Sequence, residues 1–142
     1  MKVHIKRGEG KVERMPIKSG ARDSYLTRSL VYHENTGIQQ FRLGMIELEP
    51  GLEIGAHVHN CDEVMYFLAG KGIYRVEGKE YEVEPGDSIY VRPNAVHGPH
   101  TNTGDTTWRY LYIVGQPLRP VSSEDVYLPT GERVKPTVVQ ET

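Results

Sequence analysis

The sequence predicts an all-β domain. Three observations carry that expectation. Glycine occurs 15 times and proline 9 times in 142 residues, supplying many turns and so many short strands. Apolar and polar residues alternate through stretches rich in Val, Ile, Tyr and Phe, the period of a half-buried strand. Gly, Pro and Asn signals separate about seven such stretches, the punctuation of a sandwich or barrel.

Residues 1–40 are mixed and polar, with turn signals at Arg7-Gly8-Glu9-Gly10 and Glu34-Asn35-Thr36-Gly37. Between them, SYLTRSLVYH (24–33) reads as a strand or a short helix; periodicity does not decide. From Phe41 the pattern clears. FRLGMIEL (41–48) is a strand closed by Glu49-Pro50-Gly51. IGAHVH and EVMYFLAG are the next two, bent at Asn60-Cys61-Asp62. GIYRVEG and KEYEVE alternate around Glu77-Gly78-Lys79, a hairpin signal. Pro85-Gly86-Asp87 leads into SIYVRP, and TTWRYLYIV (106–114) is the last clear strand. Beyond Gly115, Pro117, Pro120, Pro129 and Pro136 suit a tail that wraps a surface or a partner subunit.

A chain of this length is expected to form one domain able to bury its own core. The 17 basic and 19 acidic side chains leave a net charge of −2, with no basic stripe for nucleic acid. Cys61 is the only cysteine, so no disulfide can form within the chain. The N-terminal MKVHIKRGEGKVERM lacks a signal peptide's apolar core. No window approaches the ~20 apolar residues of a membrane span. The expected location is the cytoplasm.

Chemistry concentrates in GLEIGAHVHNCDEVMYFLAG (51–70). On a strand, residues two apart share a face, so His57 and His59 look the same way while Val58 looks the other. Glu63, after a short bend, can lie beside them. Two imidazoles and a carboxylate in that relation form a facial ligand set with open positions for water or substrate. A His-x-His alone is common polar surface; the flanking glycines, the glutamate and the apolar strand set this one apart. In GDSIYVRPNAVHGPHTNTGD (86–105), a proline-bearing turn delivers His97, the natural fourth ligand. Asn94 suits a left-handed backbone angle there.

The first stretch resembles the first cupin motif: Gly51, five residues, His57-x-His59, three residues, Glu63, six residues, Gly70. The second is similar to the second cupin motif through Gly86, a proline turn, His97 and Asn102, departing from it at three places. Arg92 stands where proline is usual, Asn94 replaces glycine, and Asn102 comes one residue late. The resemblance runs over roughly residues 41–114. It implies a cupin-type jelly-roll β-barrel of roughly six to eight strands, with a metal held inside by His57, His59, Glu63 and His97. It also implies a single domain with a barrel core at 41–115, a strand-forming, interface-related extension at 1–40, a tail at 116–142, and a homodimer.

The residues do not choose the metal: three imidazoles and a carboxylate suit one divalent Fe, Mn, Ni, Zn or Cu ion. Thiolate ligation is not expected, since Cys61 lies in the bend. His100 is a candidate proton carrier at the barrel mouth or an exposed loop residue. Arg92 is a candidate clamp for a substrate carboxylate or phosphate, against a rim salt bridge. Of nine tyrosines, Tyr66, Tyr74, Tyr90, Tyr110 and Tyr112 fall on alternating strands, and Met45 and Met65 are possible barrel-lining residues. Along 106–114, Trp108, Tyr110 and Tyr112 share one face and Arg109, Leu111 and Ile113 the other. His4 and His33 are expected on the surface.

Three functions compete. A metal acting as a Lewis acid on a small oxygen-rich substrate would support isomerase, epimerase or lyase chemistry, with His100 or a tyrosine moving the proton. An iron- or nickel-dependent dioxygenase would use the same open positions for substrate and oxygen. A non-catalytic binder or sensor of a small molecule would need neither. Fold alone does not choose among them.

Overall fold

The computed structural model describes residues 1–16, 24–115, 126–127, 133–134 and 137–139. In chain order its strands are β1 (Lys11–Pro16), β2 (Ser24–Val31), β3 (Phe41–Leu48), β4 (Glu53–Ile54), β5 (Glu63–Ala69), β6 (Gly72–Val76) and β7 (Lys79–Val83). They continue with β8 (Ser88–Val91), β9 (His100–Asn102), β10 (Trp108–Gly115), β11 (Val126–Tyr127), β12 (Arg133–Val134) and β13 (Thr137–Val139). One short helix, α1 (His33–Thr36), follows β2, so the ambiguous 24–33 stretch is mostly strand. The chain is all-β, as its patterning predicts. Among the described residues no helix is long and apolar enough to cross a membrane.

Two antiparallel sheets enclose the core. The larger runs β13-β1-β2-β3-β10-β5-β8 and the smaller β4-β9-β6-β7; β11 and β12 pair separately. β10 is an interior strand of the larger sheet, pairing with β3 along its whole length and with β5 on its other edge. That register settles which face of β10 is inside: Trp108, Tyr110, Tyr112 and Val114 are buried, while Arg109 and Ile113 are exposed. Opposite them Leu48, Ile46, Gly44 and Arg42 point inward from β3, so Met45 lies half-buried on the outer side. Met65 does reach the core, fully buried on β5. Tyr66 and Tyr90 turn outward at 46% and 59% exposure, unlike Tyr74, Tyr110 and Tyr112.

β6 and β7 form the expected hairpin. Its two loop residues, Glu77 (φ 50°) and Gly78 (φ 81°), both take the positive φ that matches the twist of paired strands. The expected strand over IGAHVH is shorter: it stops at β4, and His57 then pairs singly with His97. β9, the polar triplet His-Thr-Asn, carries no apolar alternation that patterning could detect. Asn102 closes that region from within. Its Nδ2 donates to Leu48 O and Thr106 O, both at 2.9 Å, and its Oδ1 accepts the Gly104 N–H.

Aromatic packing fills much of the core. Trp108, with no exposed surface, stacks on Phe67 at 5.8 Å and 14°, and tilts against Tyr110 at 5.2 Å. Truncating a buried aromatic costs about 3–5 kcal/mol in lost transfer energy and cavity. Trp108→Ala is therefore expected to lower urea stability by about that much. A loss under about 1 kcal/mol would show that this part of the core is not load-carrying.

Candidate metal centre

Two distant segments are zipped together by backbone hydrogen bonds. His57 N–H donates to His97 O at 2.9 Å, and His97 N–H returns the bond to His57 O at 3.0 Å. Asn94 N–H adds a bond to His59 O at 2.8 Å. On its other edge the 96–98 segment meets β6, with Glu77 N–H on Val96 O and Gly98 N–H on Arg75 O. A reciprocally bonded antiparallel pair projects both side chains to one side, and the His57 and His97 rings stand 4.2 Å apart. Asn94 (φ 65°) makes the left-handed turn that allows this pairing.

Gly98 follows directly, at φ +102°. A Cβ there would fall 2.8 Å from Ala56 Cα and 2.9 Å from Gly55 O. Only glycine admits both that backbone angle and that approach.

The ligand atoms of His57, His59 and His97 all lie within 4.8 Å of one another, and all three residues are buried. Glu63 stands at the edge of the trio, its Oε2 3.0 Å from His59 Nε2 and 3.7 Å from His97 Nε2. Hydrogen bonds fix two of the rings. Nδ1–H of His57 donates to Gly55 O at 2.7 Å, and Nδ1–H of His97 to Ala95 O at 3.1 Å. With the proton held on Nδ1, each Nε2 carries a lone pair free to bind a metal.

The electrostatics agree. Burial lowers the His57 pKa well below its ordinary value, and the neighbouring His97, His59 and His100 lower it further. Burial also lowers His97, against the pull of Glu63. Burial raises Glu63, opposed by His97 and then by Arg42. For both His97 and Glu63 desolvation outweighs their mutual attraction, so their proximity does not make a strong ion pair. Glu63 Oε2 and His97 Nε2 are moreover buried without a hydrogen-bond partner. Neutral nitrogens, a desolvated carboxylate and orphaned acceptors together fit a divalent cation, which would satisfy them all.

His57, His59, Glu63 and His100 line a cavity whose empty space, open solvent at its mouth included, is about 620 Å³. His100 is no exposed loop residue: it is 1% exposed on β9. Arg92 does not line the cavity. Its side chain is 62% exposed and pairs with Glu77 at the rim, so the expected clamp is a surface ion pair. Cys61 is buried, and burial pushes its thiol up to about 11, which keeps it an unreactive small residue. His4 and His33 are exposed.

Sequence reasoning misses the cavity's other polar end. Arg42 of β3 is 8% exposed and lines it. Its Nη1 donates to Tyr112 OH at 3.0 Å and approaches Ser29 Oγ at 3.4 Å, while Thr27 Oγ1 and Tyr112 OH share a hydrogen bond of 2.7 Å. Glu13, also lining the cavity and 4% exposed, pairs with Lys11 at 3.1 Å. An inward guanidinium inverts the usual strand pattern, in which Phe41, Leu43 and Met45 would be the buried set.

The family model for the cupin domain matches residues 44–114, half of the chain. The chain belongs to the cupin family. This cupin is 28% identical over 103 residues to the dimethylsulfoniopropionate lyase DddW of Ruegeria pomeroyi, a match covering 70% of the chain and 66% of the lyase. Over a shorter stretch of 46 residues it is 46% identical to an acireductone dioxygenase of Bacillus thuringiensis, covering 29% of the chain and 27% of the dioxygenase. The chain thus spans just under two thirds of the lyase and about a quarter of the dioxygenase. Among solved structures it superposes on a predicted oxalate decarboxylase of Thermotoga maritima with a TM-score of 0.69 and 24% identity, covering 80% of this cupin and 98% of that chain. At that identity the likeness is one of fold.

Proposed function

We propose that this cupin holds one divalent transition-metal ion on His57, His59, His97 and Glu63, and is an enzyme of lyase or isomerase type acting on a small oxygen-rich substrate. The observation that carries the reading is the pair of imidazoles, His57 and His97, whose Nδ1 protons are taken by carbonyls, so that their Nε2 lone pairs are left free in a three-histidine cluster beside the buried Glu63 carboxylate, at a cavity that His57, His59 and Glu63 line. A bound ion would supply Lewis-acid polarisation of a substrate oxygen. The chain supplies the protons. Tyr25, Tyr74 and Tyr110 line the cavity, and burial raises all three phenols, so they stay protonated near neutrality. The relation to the DddW lyase, over most of the chain, supports the same class.

A dioxygenase is the second reading, favoured by the local 46% identity to acireductone dioxygenase. One experiment separates them. The protein is loaded without oxygen with Zn(II), Mn(II), Ni(II) or Fe(II) in turn and offered dimethylsulfoniopropionate and a panel of small hydroxy and keto acids, with substrate loss followed by NMR. Turnover without oxygen, and with a redox-inactive ion, is expected. Turnover only with Fe(II) or Ni(II), with oxygen consumed in step, would replace the lyase reading with the dioxygenase one. Binding without turnover under every condition would leave a binder.

A further inference from the structure

His100 differs from the other cavity histidines in where its proton sits. Its Nδ1 accepts the backbone N–H of Arg75 at 3.2 Å. A nitrogen that accepts carries no proton, so in the neutral ring the proton is on Nε2. That tautomer is the reverse of the one imposed on His57 and His97.

The ring is also held in place. Tyr74 stacks on it at 3.5 Å and 15°. The Arg75 side chain braces the chain on both sides of it, donating from Nη1 to Pro99 O at 2.8 Å and to Thr101 Oγ1 at 3.0 Å. Behind, Ile54 of β4 pairs with the His100 backbone. His100 Nε2 lines up with no acceptor in the protein although it is buried, and the residue lines the cavity. A buried donor left unpaired is costly, and a rigid aromatic and guanidinium brace prevents it from turning away.

We infer that His100 Nε2–H is a fixed hydrogen-bond donor to an oxygen of the ligand bound at the histidine end of the cavity. It acts as a positioning and specificity residue and not as a further metal ligand. The ligand class is a carboxylate, or a carbonyl that gains negative charge, small enough to reach the His57, His59 and His97 cluster. A nitrogen cation or an apolar group at that point would leave the donor unsatisfied and be rejected. This rests on the reading that a metal seats the ligand there, and the test keeps the two apart.

Two substitutions resolve the ring into its halves. In His100→Asn the side-chain oxygen can still accept the Arg75 N–H, but the cavity donor is gone. In His100→Gln an amide N–H can reach the place of Nε2–H. Both proteins and the wild type are loaded with Zn(II), their zinc content is measured, and oxalate, glyoxylate and acetate are titrated in by calorimetry. Long-range proton–nitrogen NMR of histidine-labelled wild type reports the tautomer directly.

Expected are unchanged zinc in both variants, oxalate binding weakened about 10-fold or more in His100→Asn, and recovery in His100→Gln. The spectrum should show His100 protonated at Nε2. Loss of zinc from His100→Asn as complete as from His57→Ala would make His100 a ligand and overturn the inference. So would unaltered oxalate affinity in a folded His100→Asn, a proton found on Nδ1, or zinc-loaded wild type that binds none of the three anions. Wild type that retains no zinc would overturn the metal reading instead, leaving the tautomer spectrum to decide on His100.

Discussion

Under the proposed function, His97→Ala protein is expected to leave purification with almost no transition metal, and the wild type with about one ion per chain. His97 is the deepest of the trio at 1% exposure, and its Nε2 is buried without a hydrogen-bond partner. Disturbing even a residue that only orients a ligand costs about 10–100-fold in metal affinity, so deleting the ligand itself should cost at least that. The fold should survive, because the bond pair that joins His57 to His97 uses backbone atoms, which alanine keeps. Elemental analysis beside circular dichroism gives the answer. His57→Ala should behave alike, since its ring is fixed in the same tautomer; His33→Ala, at an exposed position, should change nothing. Wild-type metal content in both His57→Ala and His97→Ala would reject the ligand assignment.

The second large effect is in acid. His57, His97 and His100 all have folded-state pKa values below the ordinary 6.5, with burial the largest cause each time. The unfolded chain therefore binds protons as pH falls below 6.5 while the folded chain does not, and stability drops. Each histidine contributes a slope of up to about 1.4 kcal/mol per pH unit, continuing down to its own folded pKa. Glu63 works the other way. Its folded pKa is raised above 4.5, so the stability it contributes is present in acid and lost as pH rises through that value. Three histidines against one carboxylate leave a net loss on acidification from about pH 7. Chelator-treated protein should melt markedly lower at pH 5.5 than at pH 7.5. Metal-loaded protein should release its ion over the same range, because the ligands must be unprotonated to bind. A melting temperature of the metal-free form that is flat from pH 7.5 to 5.5 would contradict the buried neutral state of these rings.

Sequence legibility divides along physical lines. The strands of the barrel were legible where burial imposes alternation: FRLGMIEL is β3 to the residue, and the turn at Glu77-Gly78 lies where its chemistry places it. The candidate ligand histidines of the first motif were legible because spacing alone puts His57 and His59 on one face. Which face of β10 is buried was not, since both carry large side chains; the pairing with β3 decides it. Arg42 was hidden for a related reason. A charge inside a barrel is intelligible only once the cavity and its partners Tyr112 and Ser29 exist. For both His100 and Arg92, which the sequence left between a site role and the surface, the surroundings decide. His100 belongs to a strand of the smaller sheet and lines the cavity, whereas Arg92 lies past the end of β8 beside an exposed glutamate. Neither outcome depends on a local residue pattern.

Gly98 lies against the peptide whose carbonyl orients His57, close enough that a single methyl would have to displace it. The gap between the two histidine-bearing segments is consequently gauged by an absent side chain. A substitution there would spread the jaws of the site and spoil its grip with every donor atom still in the sequence. The selectivity of such a centre is written partly in main-chain clearance, which an inventory of its chelating residues would leave out.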